Sequence, residues 1–184
     1  MDVGCGAGFL GSLGFTNVIG LDVRITNAVT VRASAGHLPF RAGIFDLVFA
    51  GEVLEHLNQP RRALDDWIRV LQPKGILGLS TPNGRLIRLE GNHPEHKHLF
   101  TAKGLTNYLR RKGIRHIKVR TIYFGMLSGR GLFRFIPSRT LKLFIMRLNV
   151  PPALSYDLFL AGTKNLDDSR VRPLRAQQHT KVGS

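Results

Sequence analysis

Residues Asp2 to Gly8 read D-V-G-C-G-A-G, and a short apolar run from Val18 closes on G-L-D at Asp22. Glycines at alternate positions let a backbone turn sharply and pass close to a bound molecule where a Cβ would intrude. An acidic residue at the end of the next strand can grip a ribose diol with its two oxygens. The pair therefore predicts an open α/β sheet with a nucleoside-bearing cofactor laid across its carboxyl edge, Gly4, Gly6 and Gly8 against the ligand and Asp22 on the sugar. A glycine run alone also serves as a plain turn between strand and helix, and Asp22 as a strand-end cap.

The rest of the chain alternates in the way such a sheet needs. Met1 to Val3 supplies only the end of a first strand; Val18–Leu21, Thr30–Ala33 and Phe45–Ala50 read as the next three, the last a continuous apolar run expected to be buried on both faces. Asn58 is expected to cap a helix with Pro60 in its first turn. Its Ala63, Leu64, Trp67, Ile68 and Leu71 form one stripe before Pro73-Lys74-Gly75 ends it. Ile76–Ser80 is the fifth strand, leading into T-P-N at 81 to 83. Thr101 caps a helix with Leu105, Tyr108 and Leu109 inward, closed by Gly113, and His116–Tyr123 and Asp157–Thr163 read as the last two strands. Residues 124–156 form a basic insertion or lid, in which Ser138 can cap an amphipathic helix bearing Leu141, Phe144, Ile145 and Leu148. Residues 165–184 are polar, lack periodicity and read as a flexible tail, leaving one domain over 1–164.

After the glycine loop and Asp22 come L-P-F at 38 to 40, F-D-L-V-F at 45 to 49 and G-E-V-L-E-H-L at 51 to 57. In this order the segments resemble the class I S-adenosylmethionine-dependent methyltransferases, of the type 11/23 kind, over about residues 1–164. The resemblance implies a Rossmann-like fold with a mostly parallel seven-stranded sheet, its last strand antiparallel. It also implies S-adenosylmethionine as cofactor. The chain starts inside the family pattern, so a truncated first strand and an N-terminally truncated domain are expected.

Residue by residue, the resemblance places Asp2, Gly4, Gly6 and Gly8 around the cofactor's amino-acid part and Asp22 on its ribose. Ser34 stands where the family usually has an adenine-binding aspartate, and can offer a hydroxyl in its place; Ala35, His37 and Leu38 would complete that pocket wall. Asp46 is expected to be structural. The E-x-x-E-H run formed by Glu52, Glu55 and His56, with His96 from E-H-K-H-L-F-T, resembles the divalent-metal ligands of ubiquinone-type and small-RNA O-methyltransferases. The same stretch also lines metal-free active sites, and the metal-free reading is preferred, with a divalent cation kept as the lesser one. His56 is the first choice for catalytic base or metal ligand and His96 the second. His93, Glu95 and His98 lie in the same loop at the carboxyl end of strands, where one of these groups could be a general base or the histidines could only cap the helix at Thr101.

Charge bears on the partner. The net formal charge is +15, yet residues 1–60 carry net −2 and the remainder +17, with no carboxylate between Glu95 and Asp157 and thirteen cations there. A field of that sign draws RNA, an anionic membrane surface or an acidic small molecule, and a solvated basic face satisfies it equally. A small or lipid-like oxygen acceptor is favoured over RNA because stacking aromatics are sparse, although Tyr108, Tyr123, Phe124 and Phe133 keep RNA open. A non-catalytic binding module built on the same fold is a third reading. Cys5, the single cysteine, reads as a small buried filler, and without a signal-type leader or a membrane-spanning run the expectation is a cytoplasmic protein, open to peripheral attachment at a membrane.

Overall fold

The computed structural model describes residues 1–85, 94–122 and 157–166. Seven strands form one sheet: β1 Asp2–Val3, β2 Gly20–Asp22, β3 Val31–Arg32, β4 Phe45–Gly51, β5 Leu71–Pro82, β6 Ile114–Ile122 and β7 Asp157–Lys164. Their order is β3-β2-β1-β4-β5-β7-β6. The first five run parallel, and β7 inserts antiparallel between β5 and β6. This is the mostly parallel sheet with an antiparallel last strand that the motif order implied.

Alternation along the strands builds the core. Val48 and Ala50 of β4, Leu77 and Leu79 of β5, and Leu158 and Leu160 of β7 are buried on one face. Helix α2, Pro60–Val70, lays Ala63, Leu64, Trp67 and Ile68 on that face, and α3, Ala102–Arg111, adds Leu105 and Leu109. Trp67 is fully buried and donates its indole N–H to the carbonyl of Ala35 at 2.8 Å, tying α2 to the segment after β3. A large aromatic pinned at both its apolar body and its polar edge fixes this packing.

The opposite face is different from expectation. Phe45 to Ala50 is not buried on both sides: Leu47 and Phe49 are half-buried and Ile76 is 47% exposed. Among the described residues helices α2 and α3 supply only one face; the other receives the short α1, Phe9–Ser12, whose Phe9 stacks on Phe49 with ring centroids 5.2 Å apart.

Local capping and turn signals hold at some positions and yield to distant partners at others. Thr101 does cap α3, accepting from the Gly104 amide at 3.1 Å. Asn58 does not cap α2; Gln59 holds that position without a side-chain bond, and Asn58 instead accepts from Lys97 Nζ at 2.9 Å. Leu71 is buried but is the first residue of β5, paired with Phe45, because the chain passes directly from helix to strand and bulges at 72–75 before Ile76 pairs with Leu47. The second strand sits one to two residues later than Val18–Leu21. The insertion at 124–156, Tyr123, His93 and all but the first two residues of the tail lie outside the described residues.

Candidate active site

Strands β1, β2 and β4 are parallel neighbours, so the loops leaving their carboxyl ends meet at one sheet edge, the place where open α/β sheets bind ligands. Gly4, Gly6 and Gly8 have φ of 64°, 49° and 89°. At Gly4 a Cβ would lie 2.4 Å from Val53 Cγ2, so only glycine lets the first loop press against the segment after β4.

Asp22 holds this loop in shape. Its Oδ2 accepts from the Gly6 amide at 3.0 Å and its Oδ1 from the Arg24 amide at 2.9 Å. Burial works against the charge, but those two amides and the Arg24 guanidinium outweigh it and hold the carboxyl below its usual range. Each oxygen retains a lone pair, so one carboxylate can stiffen the loop and still accept two hydroxyls. The strand-end and ligand-binding readings of Asp22 are therefore compatible.

Beside it opens a cavity of about 350 Å³ whose lining includes Gly4, Asp22, Ser34 and Ala35 together with Arg24, Glu52, Val53, His56 and Glu95. A second cavity of about 500 Å³ is lined by Asp2, Phe9, Phe49, Ser80, Asp157 and Phe159 among others, and shares Gly4 and Glu52 with the first. Both volumes suit small-molecule binding. Ser34 Oγ accepts from the Gly36 amide at 3.2 Å, and the Ala35 carbonyl is taken by Trp67. Four of the nine predicted cofactor residues thus share the first cavity. Asp2 lines the second, its buried carboxyl raised by desolvation and accepting from the Leu10 amide at 3.1 Å in the first turn of α1. Gly6 and Gly8 shape the loop without lining either space. His37 is exposed, and Leu38 points into the core with its amide donating to Asp66.

The E-x-x-E-H run follows β4 as a turn. Glu52 has φ of 53°, and its Oε1 accepts from Ser80 Oγ at 2.7 Å. Glu55, in the 3-10 turn Leu54–His56, is 1% exposed and accepts from Thr81 Oγ1 at 3.0 Å. Burial, then the neighbouring Glu52 charge, push its carboxyl up to about 8, so Glu55 holds its proton at neutral pH; burial raises the Glu52 carboxyl as well. His56 Nδ1 lies 3.0 Å from the Glu95 carbonyl. A carbonyl only accepts, so Nδ1 carries the proton and Nε2 is the basic nitrogen. The ring of His96 stands 5.0 Å from that of His56.

One donor atom each from Glu55, His56 and His96 lies within 4.8 Å of the others, while Glu52 is outside this group. Two donors bound about 2.1 Å from one ion are at most about 4.2 Å apart, so the trio fits a divalent cation after a small closure. Among the described residues buried Glu55 Oε1 has no hydrogen-bond partner within normal geometry, and it sits 3.8 Å from His56 Nε2, consistent with that fit.

Sequence reasoning missed Asp157, Phe9, Phe49 and Phe159. Asp157 reaches the site because β7 inserts beside β5, and its carboxyl is pushed up to about 7 by burial and by Glu52. No local pattern announces such a pairing. Glu95 meets His56 through its backbone carbonyl rather than through the side chain that the sequence offers.

Comparison with known proteins bears on this geometry. Residues 1–79 match the family model described as a methyltransferase domain. The chain is 35% identical over 100 residues to a ubiquinone biosynthesis O-methyltransferase of Rhodopseudomonas palustris, an alignment covering 45% of this chain and 39% of that protein. The chain therefore spans well under half the length of that curated relative. Its fold is similar to S-adenosylmethionine-dependent methyltransferases of Thermotoga maritima (TM-score 0.64, 18% identity, 89% of this chain and 81% of that one) and Archaeoglobus fulgidus (TM-score 0.64, 20% identity, 89% and 84%). The first 79 residues thus resemble a methyltransferase domain in sequence, and the sheet order is that of the S-adenosylmethionine-dependent methyltransferases whose fold it shares.

Proposed function

We propose that the chain binds S-adenosylmethionine across the two joined cavities and transfers its methyl group to an oxygen of a small or lipid-like acceptor. The observation that carries this reading is His56, anchored through Nδ1 on the Glu95 carbonyl at the wall of the cavity that Gly4 and Asp22 also line. The name of the Rhodopseudomonas relative supports oxygen as the receiving atom.

Bound S-adenosylmethionine supplies an electrophilic methyl carbon, and the sulfur keeps the electron pair when the bond breaks. Asp22 accepts the ribose hydroxyls, and Ser34 offers its hydroxyl to the adenine in place of a carboxylate. His56 Nε2 receives the acceptor's hydroxyl proton as its oxygen attacks, while the Glu95 carbonyl stabilises the resulting imidazolium. A divalent cation, held by Glu55, His56 and His96, would lower the pKa of the acceptor hydroxyl instead.

RNA as acceptor is the second reading. Of the basic residues that favour it, Arg115, Lys118 and Arg120 are exposed on β6, the edge strand, where cations discourage pairing with other chains. That structural use weakens the argument from charge alone. No helix among the described residues is long and apolar enough to cross a membrane.

Titration calorimetry with S-adenosylmethionine tests the first step, since a pure adaptor need not bind it. With an acceptor in hand, His56→Ala should retain cofactor affinity and slow transfer by about 100-fold or more. A chelator should leave the wild type unaffected if imidazole alone is the base. Full activity in His56→Ala would remove this residue from the mechanism.

A further inference from the structure

Helices α2 and α3 begin at the same sheet edge as the active-site loops, and neither has an acidic residue in its first turn. Between them lies a groove of about 810 Å³. Its floor is apolar, formed by Leu64 and Leu105, both buried, with half-buried Phe100. Its rim carries Arg61, Arg62 and Arg111, all exposed. Among the described residues no ion pair includes any of these three arginines. The adjacent acid, Asp65, is already engaged: its Oδ1 accepts from Tyr108 Oη at 2.7 Å and its Oδ2 pairs with Lys112 Nζ at 2.8 Å. The same hydroxyl, whose single proton is shared, lies 3.0 Å from the Arg61 carbonyl, which places its ring against the start of α2.

Uncompensated guanidinium groups above an apolar floor select a ligand with both characters. Arginine forks bind phosphate or carboxylate with two parallel bonds, and aliphatic side chains take an apolar body. The volume is that of a small-ligand site. We infer that this groove binds an anionic amphiphile, its phosphate or carboxylate on Arg61, Arg62 and Arg111 and its apolar body on Leu64, Phe100 and Leu105. A nucleic-acid strand would want open stacking faces, and here Tyr108 is held by its hydroxyl on α2.

The groove is next to the active site. The segment from Leu57, on the first cavity, to Gln59 and Pro60, on the groove, separates the two. A strap crosses this partition: the Lys97 and His98 amides donate to the Glu55 carbonyl at 2.9 and 3.2 Å, and Lys97 Nζ reaches Asn58. A ligand anchored in the groove could extend over the strap toward His56, making the groove the anchorage of the methyl acceptor. That role rests on the proposed methyl transfer; binding to the groove does not.

The test is calorimetry of the full chain with decyl phosphate below its micelle concentration, with decanol, and with a labelled uridine oligonucleotide. Decyl phosphate should bind one per chain, and decanol about tenfold or more weaker, since the charged contact is lost. Arg61→Gln/Arg111→Gln should weaken decyl phosphate by about tenfold or more and leave S-adenosylmethionine binding unchanged. Lys118→Gln/Arg120→Gln, which removes the same charge from β6, should leave decyl phosphate binding as in the wild type. Equal losses in both double variants would mean a diffuse charge effect and overturn the proposal. So would oligonucleotide binding that depends on Arg61 and Arg111 in a protein that ignores decyl phosphate, which would assign the groove to RNA. Decyl phosphate binding without S-adenosylmethionine binding would uphold the groove and sink the methyl-transfer reading.

Discussion

Asp22→Asn separates the two tasks of one carboxylate. In the folded chain each oxygen of Asp22 accepts a backbone amide, from Gly6 at 3.0 Å and from Arg24 at 2.9 Å, and the residue is 5% exposed. An asparagine can satisfy only one of these donors; its NH2 group faces the other. An unsatisfied amide at this depth costs about 1–3 kcal/mol. The Arg24 ion pair adds little, because that guanidinium is 76% exposed and screened by solvent. Denaturant unfolding followed by the fluorescence of buried Trp67, the single tryptophan, reads this cost. The pH dependence has a definite sign. The folded carboxyl titrates below its unfolded value, so its stabilisation is complete above the unfolded value near 3.8 and fades as pH falls through the lower folded one. The gap between wild type and variant should therefore be constant through neutral pH and close only below about pH 4. Replacing charged by neutral acceptors for two ribose hydroxyls should also weaken S-adenosylhomocysteine binding by about 1–3 kcal/mol, roughly 5- to 150-fold. A variant as stable as wild type would refute the loop-holding argument. Undiminished affinity in a folded variant would remove Asp22 from the cofactor site.

Three other outcomes are expected. Gly4→Ala places a methyl group 2.4 Å from Val53 Cγ2 at φ 64° and should cost about 1–3 kcal/mol with loss of cofactor binding; adding Val53→Ala should recover the steric part only, measured by unfolding of the single and double variants. Trp67→Phe keeps most of the buried area but orphans the Ala35 carbonyl, and should lower stability by about 1–3 kcal/mol in thermal unfolding. Asp157, protonated in the fold up to about pH 7, gives up its proton earlier when unfolded, so it makes stability fall as pH rises from about 4 to 7. Asp157→Asn should flatten that part of the stability profile, and an unchanged slope would count against the cluster with Glu52.

Much of the framework is determined by short stretches of the chain. Gly4, Gly6, Gly8 and Asp22 act within two strands and one loop, where conformational freedom and a strand-end carboxylate leave few alternatives. Thr101 and the stripe from Ala63 to Ile68 likewise depend on a single turn or helix face. Asn58 and Leu71 were misread because each exchanges a local partner for a distant one, Lys97 and Phe45, and local propensity cannot weigh that competition. What only the tertiary structure decided are the meetings between remote segments. Insertion of β7 beside β5 brings Asp157 and Phe159 to the cavity beside the glycine loop, the turn at 94–98 brings Glu95 and His96 to His56, and the approach of α3 to α2 gathers Arg61, Arg62 and Arg111 over an apolar floor. Such contacts span tens of residues along the chain, and burial and strand order, which are properties of the whole sheet, set them.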